Sequence, residues 1–129
     1  IGHLIESDQA IHDERVGVVN HDDLGAMWLR ENGFSERLST LVGGHVDAKR
    51  YLTAINPTYL ERLSPASRET LILPGGPMDE AASAAFAAEP GLREMLRLRS
   101  WDEMAKDPAW EGPGVESYRS RLIAHLATQ

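Results

Sequence analysis

Cysteine is absent from the sequence, which excludes disulfides, thiolate metal sites and cysteine nucleophiles together. Also lacking is any apolar run near the roughly 20 residues that a bilayer span needs, so no membrane segment is expected. Basic side chains are in the minority, 13 Lys and Arg against 20 Asp and Glu, for a formal charge of −7. A net acidic surface repels a phosphate backbone and argues against nucleic acid as a partner. A pocket with a few local cations still binds a small anion. Strand-like alternation and internal repeats are missing as well. The chain opens at Ile1 with neither a methionine nor a signal-like segment. It therefore reads as part of something longer, with the cytoplasm as the simplest location.

What is present is helical punctuation. The 129 residues, 42% hydrophobic and 26% charged, suit one globular domain. Asp22 and Asp23 favour a helix start, Leu24, Met27 and Trp28 follow, and Gly33 ends it. From about Ser35, the residues Leu38, Leu41, Val42, His45, Val46, Lys49 and Leu52 form one stripe at three-and-four spacing, interrupted by Gly43 and Gly44. Small residues there let another backbone, or a metal site, come close. Asn56-Pro57 introduces a short helical turn with Tyr59 and Leu60. Ser64-Pro65 is a capping serine followed by proline at the first helical position. The run Pro74-Gly75-Gly76-Pro77 is a loop. Further helices are expected over 79–88 and 92–106, a loop over 107–114, and a closing amphipathic helix over 115–127 through Tyr118, Leu122, Ile123 and Leu126. The fold class is all-α.

Ionisable residues interrupt three of the apolar stripes. His45 and Lys49 lie one turn apart; Arg99 and Asp102 sit beside Met95 and Leu98; His21 stands at the start of the first helix. Buried charge must be paired, meet a ligand or bind a metal, and histidine with carboxylate suits iron, manganese or zinc. Ordinary explanations stand beside this one. His21 fits a solvated or capping residue, and His45 a satisfied core histidine. Lys49 can reach solvent along its stem, and Arg99–Asp102 fits an i,i+3 ion pair. Ser67 and Thr70 fit ordinary polar residues near a helix start. His12 and His125 suggest surface placement only. Residue patterns alone thus reach a helical domain with a His/Asp metal or anion site, and no reaction.

A resemblance goes further. Ile1-Gly2-His3-Leu4 resembles the second half of the His-Asp-Ile-Gly-His signature of the HD-domain superfamily. Asn20-His21-Asp22, Gly25-Ala26 and Gly44-His45-Val46-Asp47-Ala48-Lys49-Arg50-Tyr51-Leu52 resemble one branch of it, the mixed-valent di-iron oxygenases of phosphonate degradation. Leu63-Ser64-Pro65-Ala66-Ser67, Gly75-Gly76-Pro77-Met78 and Arg97-Leu98-Arg99-Ser100-Trp101-Asp102 continue the likeness in order, up to Lys106.

The resemblance implies a single HD-type domain over 1–129, an all-α bundle incomplete on its N-terminal side. His21 and His45 would be ligands of one iron and Asp102 of the other. A His-Asp pair and a further histidine, absent here, would complete the site. His3, Lys49, Ser67, Thr70 and Arg99 would surround the phosphonate, with His3 and Lys49 acting in catalysis. The implied reaction uses a mixed-valent Fe(II)/Fe(III) pair and O2 to break the C–P bond of a 1-hydroxy-2-aminoethylphosphonate-type substrate. Its products are phosphate and glycine or an N-methylated glycine. Two alternatives remain at this point. An HD-family phosphohydrolase would use a divalent metal to activate water, and a non-catalytic module would keep only the anion pocket.

Overall fold

The computed structural model describes residues 2–14, 17–105, 109 and 111–129. Among them eight α-helices follow in order. These are α1 (His21–Glu31), α2 (Glu36–Gly43), α3 (His45–Ile55), α4 (Pro57–Arg62), α5 (Pro65–Ile72), α6 (Glu80–Ala87), α7 (Leu92–Met104) and α8 (Arg119–Leu126). Single 3-10 turns at Gly2–Leu4 and Val115–Tyr118 complete the helical inventory. The chain is an all-α bundle, as its pattern implies. The expected helix end at Lys106, and positions 107, 108 and 110 of the expected loop, lie outside the described residues. One departure is a ribbon of two antiparallel strands, β1 (His12–Asp13) and β2 (Gly17–Val18), which pairs His12 with Val18 and Asp13 with Gly17. Two-residue strands are too short to register as alternation.

Local chemistry sets the helix starts. Ser35, Ser64 and Asp79 accept the backbone N–H of Leu38, Ser67 and Ala82 at 3.3, 3.2 and 2.7 Å, each satisfying one of the unpaired donors of a first turn. Beyond α1, Gly33 turns the chain with φ +78°, a conformation that disfavours any side chain.

The Leu38–Leu52 stripe is shared by two helices, divided at Gly44. That glycine has φ −80° and ψ −2°, so its backbone makes no demand for glycine. Space makes the demand. A Cβ there would lie 2.7 Å from Met95 Sδ of α7 and 3.2 Å from the Thr40 carbonyl oxygen, and one on Gly43 would lie 3.3 Å from Ala26 Cβ of α1. The two glycines let α1 and α7 close on the corner between α2 and α3. From that corner α3 runs through the middle, touching α2, α4, α5, α6 and α7. Ala48, Met78, Phe86 and Met95 form the core cluster, with Leu41, Tyr51, Ala54, Ala82, Leu92 and Leu96 packed around it.

The last helix departs from expectation. Leu122, Ile123 and Leu126 of α8 are exposed and do not close the bundle. His125, expected only at the surface, is half-buried. Its ring stacks on Phe34 at 5.7 Å between centroids, and its Nε2 lies 3.2 Å from Ser35 Oγ. It ties α8 to the start of α2, a contact spanning 90 residues that local pattern cannot reveal.

Gly44→Ala should therefore destabilise the protein by about 1–3 kcal/mol through overpacking against α7. Gly114→Ala is the control. Nothing lies within 4 Å of its Cβ position and its φ is −62°, so urea denaturation should find it neutral or slightly stabilising.

Candidate functional site

Four α-helices and the first 3-10 turn deliver polar residues to one cavity of about 180 Å³. It is lined by His3, His21, His45, Lys49, Ser67, Thr70, Arg99 and Asp102, with Val18, Val19, Val46, Leu73 and Pro74 as its apolar wall. All eight residues singled out from the sequence line it.

The histidines occupy one end. His21 is the first residue of α1 and His45 the first of α3. His21 Nδ1 lies 2.9 Å from the Val18 carbonyl oxygen and His45 Nδ1 lies 2.6 Å from that of Val42. A carbonyl only accepts, so each Nδ1 carries the proton and donates it. In the neutral rings the two Nε2 lone pairs then face each other at 3.1 Å. Two lone pairs at that separation repel unless a cation or an additional proton lies between them. A histidine that binds metal through Nε2 has its Nδ1–H held by a carbonyl in this way. With metal–nitrogen bonds of about 2.0–2.1 Å, nitrogens 3.1 Å apart would subtend roughly a right angle at one ion. The donor set therefore fits a metal.

Burial holds the His21 imidazole below its ordinary pKa; the hydrogen bond to Val18 opposes this, and neighbouring His45 and Lys49 reinforce it. His3 stacks on His21 with centroids 4.0 Å apart and 17° between planes, and is lowered too, by its own burial and then by His21. Both rings are held towards the neutral form, the form that coordinates a metal.

Cations occupy the other end. Lys49, one turn beyond His45, is buried, and its Nζ donates to Thr70 Oγ1 at 2.9 Å. Ser67, in the first turn of α5, is buried beside it. Arg99 of α7 is 4% exposed and makes three contacts. Its Nε donates to Tyr59 Oη at 2.9 Å, its Nη1 to Asp102 Oδ2 at 2.5 Å, and its Nη2 pairs with Glu103.

Asp102 is thus in the cavity but bound to Arg99. Among the described residues, no three His, Asp or Glu side chains stand close enough to share a metal ion. The two histidines present two facing nitrogens.

Sequence reasoning missed Tyr59 and Glu103. Glu103 lies four residues after Arg99, a spacing that predicts a helical ion pair. Tyr59 is 40 residues from Arg99 and carried no such signal.

Fold and cavity together define a helical domain with paired histidines at one end of a pocket and buried cations at the other. No protein-family model matches the chain. It is 42% identical over 93 residues to [1-hydroxy-2-(trimethylamino)ethyl]phosphonate dioxygenase (glycine-betaine-forming) of Leisingera caerulea, covering 72% of this chain and 47% of that protein. Hydroxymethylphosphonate dioxygenase of Gimesia maris is 32% identical over 130 residues, 98% of this chain and 63% of its own. An uncharacterised protein of Acanthamoeba polyphaga mimivirus is 34% identical over 128 residues, 98% of this chain and 58% of its own. The chain is thus similar to proteins named as phosphonate dioxygenases, and spans about half to three fifths of the length of these curated relatives.

The buried cations yield a direct test. Inorganic phosphate should raise the melting temperature, by linkage worth about 2.7 kcal/mol at a hundred times its dissociation constant. Lys49→Met should remove most of that gain, and the unliganded variant measured alongside separates lost binding from lost stability. Scanning calorimetry with and without phosphate reads both, and an undiminished phosphate effect in the variant would exclude Lys49 from the anion pocket.

Proposed function

We propose that this chain is the pocket-bearing part of an HD-type di-iron oxygenase that cleaves the C–P bond of a small 1-hydroxyphosphonate. One observation carries the reading. Opposed histidine nitrogens and buried cations line a single cavity, in a chain similar to two proteins named as phosphonate dioxygenases. Both names describe a hydroxyl on the carbon attached to phosphorus, the feature that defines the proposed substrate class.

His21 and His45 would hold one iron, and Asp102 would be a ligand of the second. Bound, the metal pair would supply activation of O2 and the oxidation of the hydroxyl-bearing carbon. The chain's own residues do the rest. Lys49 and Arg99 donate charge-assisted hydrogen bonds to phosphonate oxygens, and the hydroxyls of Ser67 and Thr70 supplement them. His3, stacked on His21, bounds the reacting carbon's side of the pocket. Val18, Val19, Leu73 and Pro74 exclude water, which strengthens every charge interaction inside.

The reaction balances without an external reductant. The C–H and C–P bonds of the hydroxyphosphonate break, one oxygen atom of O2 enters the carboxylic acid, and the other enters phosphate.

The expected stoichiometry is thus one phosphate and one carboxylic acid per O2 consumed, measured on iron-loaded full-length protein with a 1-hydroxyphosphonate. His45→Ala should lower bound iron as well as turnover. Lys49→Ala should cost about 1.5–3 kcal/mol of substrate use, roughly ten- to a hundredfold in kcat/KM. Phosphate release that persists without O2, or from a phosphate ester alone, would overturn the oxygenase reading in favour of hydrolysis.

A further inference from the structure

Helix α4 has six residues, far too few to be stable by itself. It is nevertheless fastened at both ends. Asn56 Oδ1 accepts the Tyr59 N–H at 3.2 Å, and Pro57 occupies the first helical position. Leu63, just beyond the helix, is buried. Arg68 reaches back from α5, donating from Nε to the Leu63 carbonyl at 3.2 Å and from Nη2 to that of Glu61 at 2.5 Å. From this fastened helix the Tyr59 hydroxyl crosses to α7 and accepts Arg99 Nε–H at 2.9 Å.

We propose that Tyr59 is a positioning residue that orients the Arg99 guanidinium towards the anion in the pocket; the inference rests on Arg99 being a phosphonate contact. A guanidinium has five N–H groups in one rigid plane. Tyr59 takes the one on Nε, Asp102 takes one on Nη1, and Nη2 is buried against Glu103 without a regular hydrogen bond among the described residues. Donor capacity therefore remains on the terminal nitrogens. Its direction depends on how the plane is turned.

Tyr59 differs from the two acidic partners in one respect. Its hydroxyl is neutral, so it holds the plane without cancelling the charge that attracts an anion. Without that hydroxyl, Nε–H loses its acceptor in a buried position, and the guanidinium is free to swing into fuller pairing with Asp102 or Glu103. That movement would turn its donors away from the anion.

The test is a double-mutant cycle on the full chain, with inorganic phosphate as the probe and isothermal calorimetry as the readout. Tyr59→Phe should weaken phosphate binding about five- to tenfold where Arg99 is intact, the loss of one hydrogen bond to a charged group. In an Arg99→Lys background, which has no Nε–H for Tyr59 to hold, the same change should alter affinity less than twofold. With substrate, Tyr59→Phe should raise KM more than it lowers kcat, and urea denaturation should find a larger stability loss beside intact Arg99, whose buried Nε–H loses its acceptor. Equal weakening of phosphate binding in both backgrounds would overturn the proposal, as would no weakening beside intact Arg99. If Arg99→Lys leaves phosphate affinity unchanged while Lys49→Ala lowers it, Arg99 is no anion contact, and the proposal falls while the anion pocket stands.

Discussion

Two imidazole nitrogens face each other 3.1 Å apart, and much of the fold serves to hold them there. Each ring is fixed from behind by a backbone carbonyl, that of Val18 in the ribbon and that of Val42 in the last turn of α2. The second tether depends on the break between α2 and α3. Without it, residues 36–55 would form one straight helix, and His45 would sit mid-helix. With it, His45 opens a new helix beside the first residue of α1. Close packing at the break depends on Gly44, since a Cβ there would lie 2.7 Å from Met95 Sδ and 3.2 Å from the Thr40 carbonyl oxygen. A tightly packed part of the core thus lies immediately beside the polar site.

The opposite end of the cavity solves a different problem. Lys49 and Arg99 are both about 5% exposed or less, and burying either without compensation is expensive. Arg99 is met by Asp102 and Glu103, so its charge is locally balanced. Lys49 meets the neutral Thr70 hydroxyl among its contacts. This asymmetry divides the work. Lys49 brings a compact ammonium that meets Thr70, while Arg99 brings a planar guanidinium held by Tyr59, Asp102 and Glu103. Arg99 is also bound to Asp102, so a group that draws on Asp102 alters what Arg99 can offer.

Much of this was legible from the sequence where chemistry is local. Ser35, Ser64-Pro65 and Asp79 announce helix starts because capping acts within one turn, and Gly33 and the Pro74–Pro77 run announce chain reversals for the same reason. His21, His45, Lys49, Arg99 and Asp102 were visible as ionisable groups in or beside apolar stripes, which identifies them as needing partners without naming the partners, whereas His3, Ser67 and Thr70 were singled out by resemblance alone. Their proposed roles came from resemblance and not from spacing. What stayed hidden was long-range or very short. His125 meets Ser35 across 90 residues, and Tyr59 meets Arg99 across 40. The β1–β2 ribbon has two residues a strand, below the length at which alternation carries information. The exposure of Leu122, Ile123 and Leu126 could not be read from α8's own periodicity, because amphipathicity identifies an apolar face and not what covers it.

Helix ends add a final constraint on what the cavity favours. His21 opens α1, His45 opens α3 and Ser67 lies in the first turn of α5, so three helix N-termini converge on one space. Each N-terminus carries a partial positive charge, which with Lys49 and Arg99 favours an anion against the opposing carboxylates of Asp102 and Glu103. The opposed histidines nevertheless present two lone pairs suited to a cation. These demands conflict if either ligand binds alone and agree if both bind together, because a metal ion screened by an anionic oxygen meets the positive field as a smaller net charge. On the proposed reaction the metal and the phosphonate occupy the cavity together, and the two demands then agree.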